Sequence, residues 1–139
     1  MNHNLNTQTA RPEYMLLFRG THWHKSLSPE EIQKVMGQWS AWFERLTLQG
    51  KLTAGHPLGS EGKIVSGKKG RTIADGPFAE SKEAVTGYFL LQVDTLDEAM
   101  QIASECPALR YGLTVEVRPV IPSCAVSQIA NEQRAPAVG

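Results

Sequence analysis

The chain has 139 residues, of which 41% are apolar and 20% charged, which suits one soluble domain able to bury a core without disulfide staples. Fourteen Lys and Arg balance fourteen Asp and Glu, so the basic surplus that displaces counterions from nucleic-acid phosphates is missing. The two cysteines, Cys106 and Cys124, sit outside any metal-ligand spacing, and no stretch approaches the roughly 20 apolar residues of a membrane span. Without the basic and apolar regions of a signal peptide at the start, the expectation is a cytoplasmic protein, with no nucleic-acid or membrane partner.

Residues 1–13 are polar and aperiodic and read as a flexible leader. Tyr14-Met15-Leu16-Leu17-Phe18-Arg19 has the length and composition of a strand. Ser28-Pro29-Glu30-Glu31 then combines a capping serine, a proline at the first helical position and a glutamate able to reach back to the cap. Ile32, Val35, Met36, Trp39, Trp42, Phe43 and Leu46 follow at three- and four-residue steps, giving one apolar helix face that Gly50 closes.

Lys51–Ala54, Lys63–Val65 and Arg71–Ala74 read as short strands separated by glycine turns. Thr86–Val93 is a longer strand, apolar on both faces. Thr95-Leu96-Asp97-Glu98 opens a second helix, which Pro107 stops, and Leu113–Arg118 alternates as the last strand. Residues 122–139 hold prolines and small residues without periodicity and read as a flexible tail, leaving 14–121 as the domain. This order predicts an α+β, ferredoxin-like βαββαβ sandwich with both helices on one face of an antiparallel sheet. The other face is left apolar and uncovered, and a second copy packed sheet to sheet covers it most economically. A homodimer is therefore expected.

Asp75-Gly76-Pro77-Phe78-Ala79-Glu80-Ser81-Lys82-Glu83, with Gly87-Tyr88-Phe89, Asp94-Thr95-Leu96-Asp97-Glu98-Ala99 and Val115-Glu116-Val117-Arg118-Pro119, resembles the DGPF-domain branch of the YCII-related family over about Tyr14 to Val120. The resemblance implies a dimeric α+β barrel with a cleft near the dimer interface. It also implies a His–Asp pair in that cleft with the histidine on the first helix, where this chain carries Trp39. A gene-neighbourhood link of some DGPF proteins to sigma factors implies, at most, an association with transcription.

The candidate catalytic residues are Asp75 and His56: a carboxylate and an imidazole together suit acid–base chemistry of the lyase type on a small polar molecule. Asp75 before Gly-Pro is equally an ordinary turn former. Phe78, Glu80, Lys82, Tyr88 and Arg118 are the candidate ligand-binding residues. Thr21-His22-Trp23-His24 offers half a metal site with nothing to complete it, so no metal and no cofactor are expected. Gly62-Lys63-Ile64-Val65-Ser66-Gly67-Lys68-Lys69 falls short of a phosphate loop, because Lys69 replaces the hydroxyl residue that holds magnesium. Two readings stay open at this point. One is a cofactor-independent enzyme or ligand-binding protein; the other is a non-catalytic regulatory or interaction module without a formed pocket.

Overall fold

The computed structural model describes residues 11–76 and 84–134. Among the described residues, six strands and three α-helices follow one another: β1 (Glu13–Arg19), α1 (Pro29–Leu48), β2 (Leu52–Pro57), β3 (Lys63–Ser66), β4 (Thr72–Asp75), β5 (Val85–Gln92), α2 (Leu96–Ala103), β6 (Thr114–Val120) and α3 (Ala125–Arg134). A short 3-10 turn, Leu109–Tyr111, precedes β6.

Helix α1 starts as its sequence dictates. Ser28 Oγ accepts from the Glu31 N–H at 3.1 Å, and the Glu31 carboxylate accepts from the Ser28 N–H at 2.8 Å, so two otherwise orphaned donors are satisfied reciprocally. Gly50 ends it at φ +73°, a left-handed geometry that favours glycine. Thr95 caps α2 through its side-chain oxygen, which accepts from the Glu98 N–H at 3.1 Å.

Four strands form one antiparallel sheet in the order β2-β5-β1-β6, and β3 pairs only with β4 as a separate two-stranded hairpin. With the hairpin set aside, the order is that of the ferredoxin-like βαββαβ sandwich. Leu16, Phe18, Leu52, Phe89 and Leu91 face the helices and meet Val35, Trp42 and Leu46 of α1 and Ala99, Ile102 and Ala103 of α2 in one continuous core. Trp42, Leu16, Leu46, Leu91 and Val93 are fully buried, a packing density that makes the helix-facing side of the sheet intolerant of volume changes.

Strand alternation sends the intervening residues to the other face. There, His56, Tyr88, Leu17 and Glu116 lie side by side across the four strands, and Ala54, Leu90, Met15 and Arg118 form the next row. The centre of this face is apolar and its edges polar. Arg19 donates to Glu116 at 2.8 Å, and Arg118 approaches the same carboxylate at 3.8 Å.

Three boundaries differ from the sequence reading. Strand β2 runs on through Gly55, His56 and Pro57, because these residues pair with Phe89, Tyr88 and Gly87 rather than turning away. The end of the expected leader is tied down: the Pro12 carbonyl accepts from the Val93 N–H at 3.2 Å, and Arg11 pairs with Asp94 at 3.1 Å. Within the expected tail, Ala125–Arg134 is helical, favoured by its Ala, Gln and Glu content and by a Gln128 side chain that donates to Ser123 Oγ at 2.9 Å. Val126 and Ile129 of that helix are exposed, so it adds nothing to the core.

Candidate functional site

The apolar stripe of α1 is wider than the core beneath it. Val35, Trp42 and Leu46 are buried, whereas Met36 and Phe43 stay exposed and Trp39 is half-buried. These three residues, with Ser40, roof a cavity of about 420 Å³ between α1 and the sheet. Its floor is Phe18, Phe89, Gly55 and Gly87, and Trp23, Leu113 and Thr86 close its end. A volume of this size lies within the range of small-molecule sites, and so does the composition, aromatic walls with few polar groups.

The walls are fixed by ring-on-ring packing. Phe18 meets Trp39 edge-on with centroids 5.1 Å apart, and Phe89 lies 4.9 Å from Phe18, 4.9 Å from Trp42 and 5.5 Å from Phe43. Such edge-to-face arrays are favourable beyond their area and resist reorientation. Space comes from two glycines on neighbouring strands. A Cβ at Gly55 would stand 2.8 Å from the Phe89 ring and 3.1 Å from the Phe43 ring, and one at Gly87 would stand 3.1 Å from the His56 carbonyl oxygen. A side chain at either position would compete with the cavity.

His56 and Tyr88 reach the rim of the cavity at the end of β2, the edge strand of the sheet, while strand alternation sets their side chains on the uncovered face. His56 Nδ1 and the Tyr88 hydroxyl are 2.9 Å apart. When the phenol donates, the imidazole keeps Nε2–H as a donor; when Nδ1–H donates, Nε2 is a free acceptor. Either tautomer leaves Nε2 outside this hydrogen bond.

Asp75 lies elsewhere. It forms an ion pair with Lys63 across the β3–β4 hairpin, and both side chains are largely exposed. They line a second concavity of about 550 Å³ with Ser60, Glu61, Gly62 and Gly76. His56 and Asp75 therefore border different concavities of the chain. A third, of about 320 Å³, lies between them: it shares Thr86 with the aromatic cavity and Ser60 with the Asp75 concavity. Arg118 stands on the uncovered sheet face at the β6 edge, across the sheet from His56. Phe78, Glu80 and Lys82 fall outside the described residues.

Two thiols differ sharply in environment. Burial raises Cys106 to about 11 despite hydrogen bonds from the Ala108 and Leu109 backbone. Cys124 is exposed and held below its usual value by backbone N–H groups of Ser127 and Val126 at the start of α3. For Cys106, desolvation is the main cause.

The residues that sequence reasoning missed are those of the aromatic cavity. Met36, Trp39 and Phe43 read as core because periodicity reports which side of a helix is apolar, not whether something covers it. Gly87 inside a strand was the available signal, since a glycine there marks close approach or open space.

The fold and cavity define an α+β domain of ferredoxin-like topology with a pocket beneath its first helix. The chain matches the YCII-related domain over residues 13–123, and it belongs to that family. An uncharacterised protein of Rhizobium meliloti (strain 1021) is 34% identical over 97 residues, covering 67% of this chain and 78% of that protein. Among solved structures, a 5-chloro-2-hydroxyhydroquinone dehydrochlorinase from Burkholderia phenoliruptrix AC1100, in complex with 2,5-dihydroxybenzoquinone, is 16% identical with a TM-score of 0.40, covering 79% of this chain and 95% of that one. The solution structure of a hypothetical Arabidopsis thaliana protein is 14% identical with a TM-score of 0.35, covering 84% and 94%. Family membership rests on the sequence match.

Proposed function

We propose that this protein binds a small molecule in the cavity between α1 and the sheet, and that His56, whose ring lies on the other face of the sheet at the β2 edge, performs acid–base chemistry on a part of the ligand that extends past that edge. The observation that carries the reading is the cavity itself, about 420 Å³ and walled by aromatic rings, with a histidine hydrogen-bonded to a tyrosine on the other side of the sheet where β2 ends. A formed pocket favours a ligand over the interaction-module reading, which expects none. The walls fit an apolar, planar body with a few polar substituents better than the small polar molecule expected from sequence.

The protein functions as a pair of chains with the uncovered sheet faces together, in the dimeric barrel arrangement, and belongs to the DGPF branch. The half-buried Leu17, Tyr88, Leu90 and Met15 at the centre of that face support the pairing, since an apolar sheet centre left in water is unfavourable. Asp75 joins the chemistry where pairing brings the hairpin of one chain to the cavity of the other. Otherwise its role is the ion pair with Lys63.

Thermal-shift measurements against a panel of small cyclic metabolites test this. Stabilising compounds are then incubated with the protein and followed by NMR for elimination products. Stabilisation that persists in Asp75→Asn and His56→Gln, with turnover lost in His56→Gln, fits the reading. A panel without one stabilising compound, or turnover unaffected by His56→Gln, contradicts it.

A further inference from the structure

One turn feeds two concavities. After β1 the Lys25 N–H donates to the His22 carbonyl and the Leu27 N–H to the His24 carbonyl, each at 3.1 Å, which folds residues 22–27 back on themselves. Trp23 goes to the aromatic cavity, where it also stacks near Tyr111 at 6.4 Å. Its neighbours His22, His24 and Lys25 line the third concavity instead, with Thr21, Ser60 and Thr86.

The charge balance there is one-sided. Two imidazoles, one ammonium and three hydroxyl side chains line the space, and no acidic side chain among the described residues does. Lys25, His22 and His24 form no ion pair with any described residue. Moreover, His22 Nδ1 is buried without a hydrogen-bond partner among the described residues, a condition rare in folded proteins and one that calls for an explanation. A cation is disfavoured beside the lysine, and no group of three ligating side chains exists among the described residues. Donors in excess of acceptors, within a partly enclosed space, attract an anion.

We propose that this concavity is an anion subsite and that the ligand of the aromatic cavity carries an acidic group, a carboxylate or its equivalent, which reaches it past Thr86. The inference rests on the small-molecule reading of the cavity. It narrows the ligand class to aromatic acids: the ring lies among Phe18, Trp39 and Phe43, and the charge is held by Lys25 and the flanking histidines. Thr86 lines both spaces and marks the crossing point. It is held in place by donating its hydroxyl to the Phe18 carbonyl at 3.3 Å.

Two isosteric probes separate the two claims. Titration calorimetry with neutral 2-naphthamide reads the cavity alone, and 2-naphthoate adds the charge at nearly the same shape. Naphthoate is expected to bind about fivefold tighter, the scale of one charge-assisted contact to partly exposed partners. Lys25→Met and His24→Gln should each reduce that preference to less than about twofold while leaving naphthamide affinity unchanged. Lys68→Met, on the hairpin turn, should leave both probes unaffected. Absence of naphthamide binding overturns the cavity reading and the subsite with it. Naphthamide binding with no preference for naphthoate, or a preference insensitive to both variants, overturns the subsite alone.

Discussion

Replacing Gly55 with alanine adds one methyl group to the most constrained point of the cavity floor, and the outcome follows from what that methyl meets. It would stand 2.8 Å from Phe89, 3.1 Å from Phe43 and 3.2 Å from the Tyr88 carbonyl oxygen. Phe89 is only 4% exposed and sits among Phe18, Trp42 and Phe43, so it has nowhere to turn. The Tyr88 carbonyl belongs to the β2–β5 ladder. Only Phe43, 36% exposed, can yield, and yielding carries its ring across the cavity. Overpacking of this kind costs about 1–3 kcal/mol. The alanine recovers about 0.4–1 kcal/mol by restricting the unfolded chain, because Gly55 does not need a positive φ. The net loss is about 1–2 kcal/mol, a Tm lower by roughly 3–10 °C for a domain of this size. Binding of 2-naphthamide should weaken about tenfold or more, the equivalent of about 1.4 kcal/mol. Gly37→Ala supplies the opposite sign, since a Cβ there meets nothing within 4 Å and the residue lies inside α1. It should gain about 0.5–1 kcal/mol. Urea denaturation and calorimetry measure both effects. A Gly55→Ala protein as stable as the wild type, with unchanged naphthamide affinity, would refute the geometry of the cavity.

Disulfide-exchange labelling of the native protein near pH 8 should modify Cys124 quickly and Cys106 only on unfolding; equal rates at both thiols would contradict the assigned environments. Because burial holds the folded Cys106 thiol up to about 11, its protonated form costs nothing below pH 9, and the fold loses stability as pH rises toward 11. Wild type should therefore lose about 2 kcal/mol relative to Cys106→Ala between those limits, and parallel pH profiles of the two proteins would exclude the effect. Glu105 accepts from Trp42 Nε1 at 3.2 Å and from Arg45 at 2.6 Å. Glu105→Ala strands a buried indole N–H and should cost about 1–3 kcal/mol, with Glu105→Gln losing less; the two variants matching wild type in urea would remove Glu105 from the account. Sedimentation velocity should give twice the 15.3 kDa chain mass for wild type and a single-chain mass for Leu17→Lys, a charge placed at the centre of the uncovered sheet face. A wild-type monomer would overturn the pairing.

Much of the architecture is legible along the chain because local signals and tertiary structure agree. The Ser28 cap, the seven-position stripe of α1 and the Thr95 cap each state a boundary that packing then reinforces. The reading of Gly55 as a turn fails for a physical reason: a glycine can be required by a neighbouring ring as well as by backbone conformation, and only the register of β2 on β5 shows which. The site was less legible. His56 and Tyr88 are 32 residues apart and become partners only through strand pairing. Asp75, the centre of the most distinctive motif, is held by Lys63 in a hairpin of its own, which no periodicity foretells. Trp23 and its flanking histidines looked like one cluster, and a turn divides them between two spaces.

The three tryptophans offer the most direct test of the cavity as a ligand site. Trp23 and Trp39 line it, whereas Trp42 lies behind the wall with its indole N–H on Glu105. In a heteronuclear NMR titration with 2-naphthamide, the indole N–H resonances of Trp23 and Trp39 should move together and saturate at one affinity, with Trp42 the least displaced. Unchanged Trp23 and Trp39 resonances at saturating ligand would contradict the account.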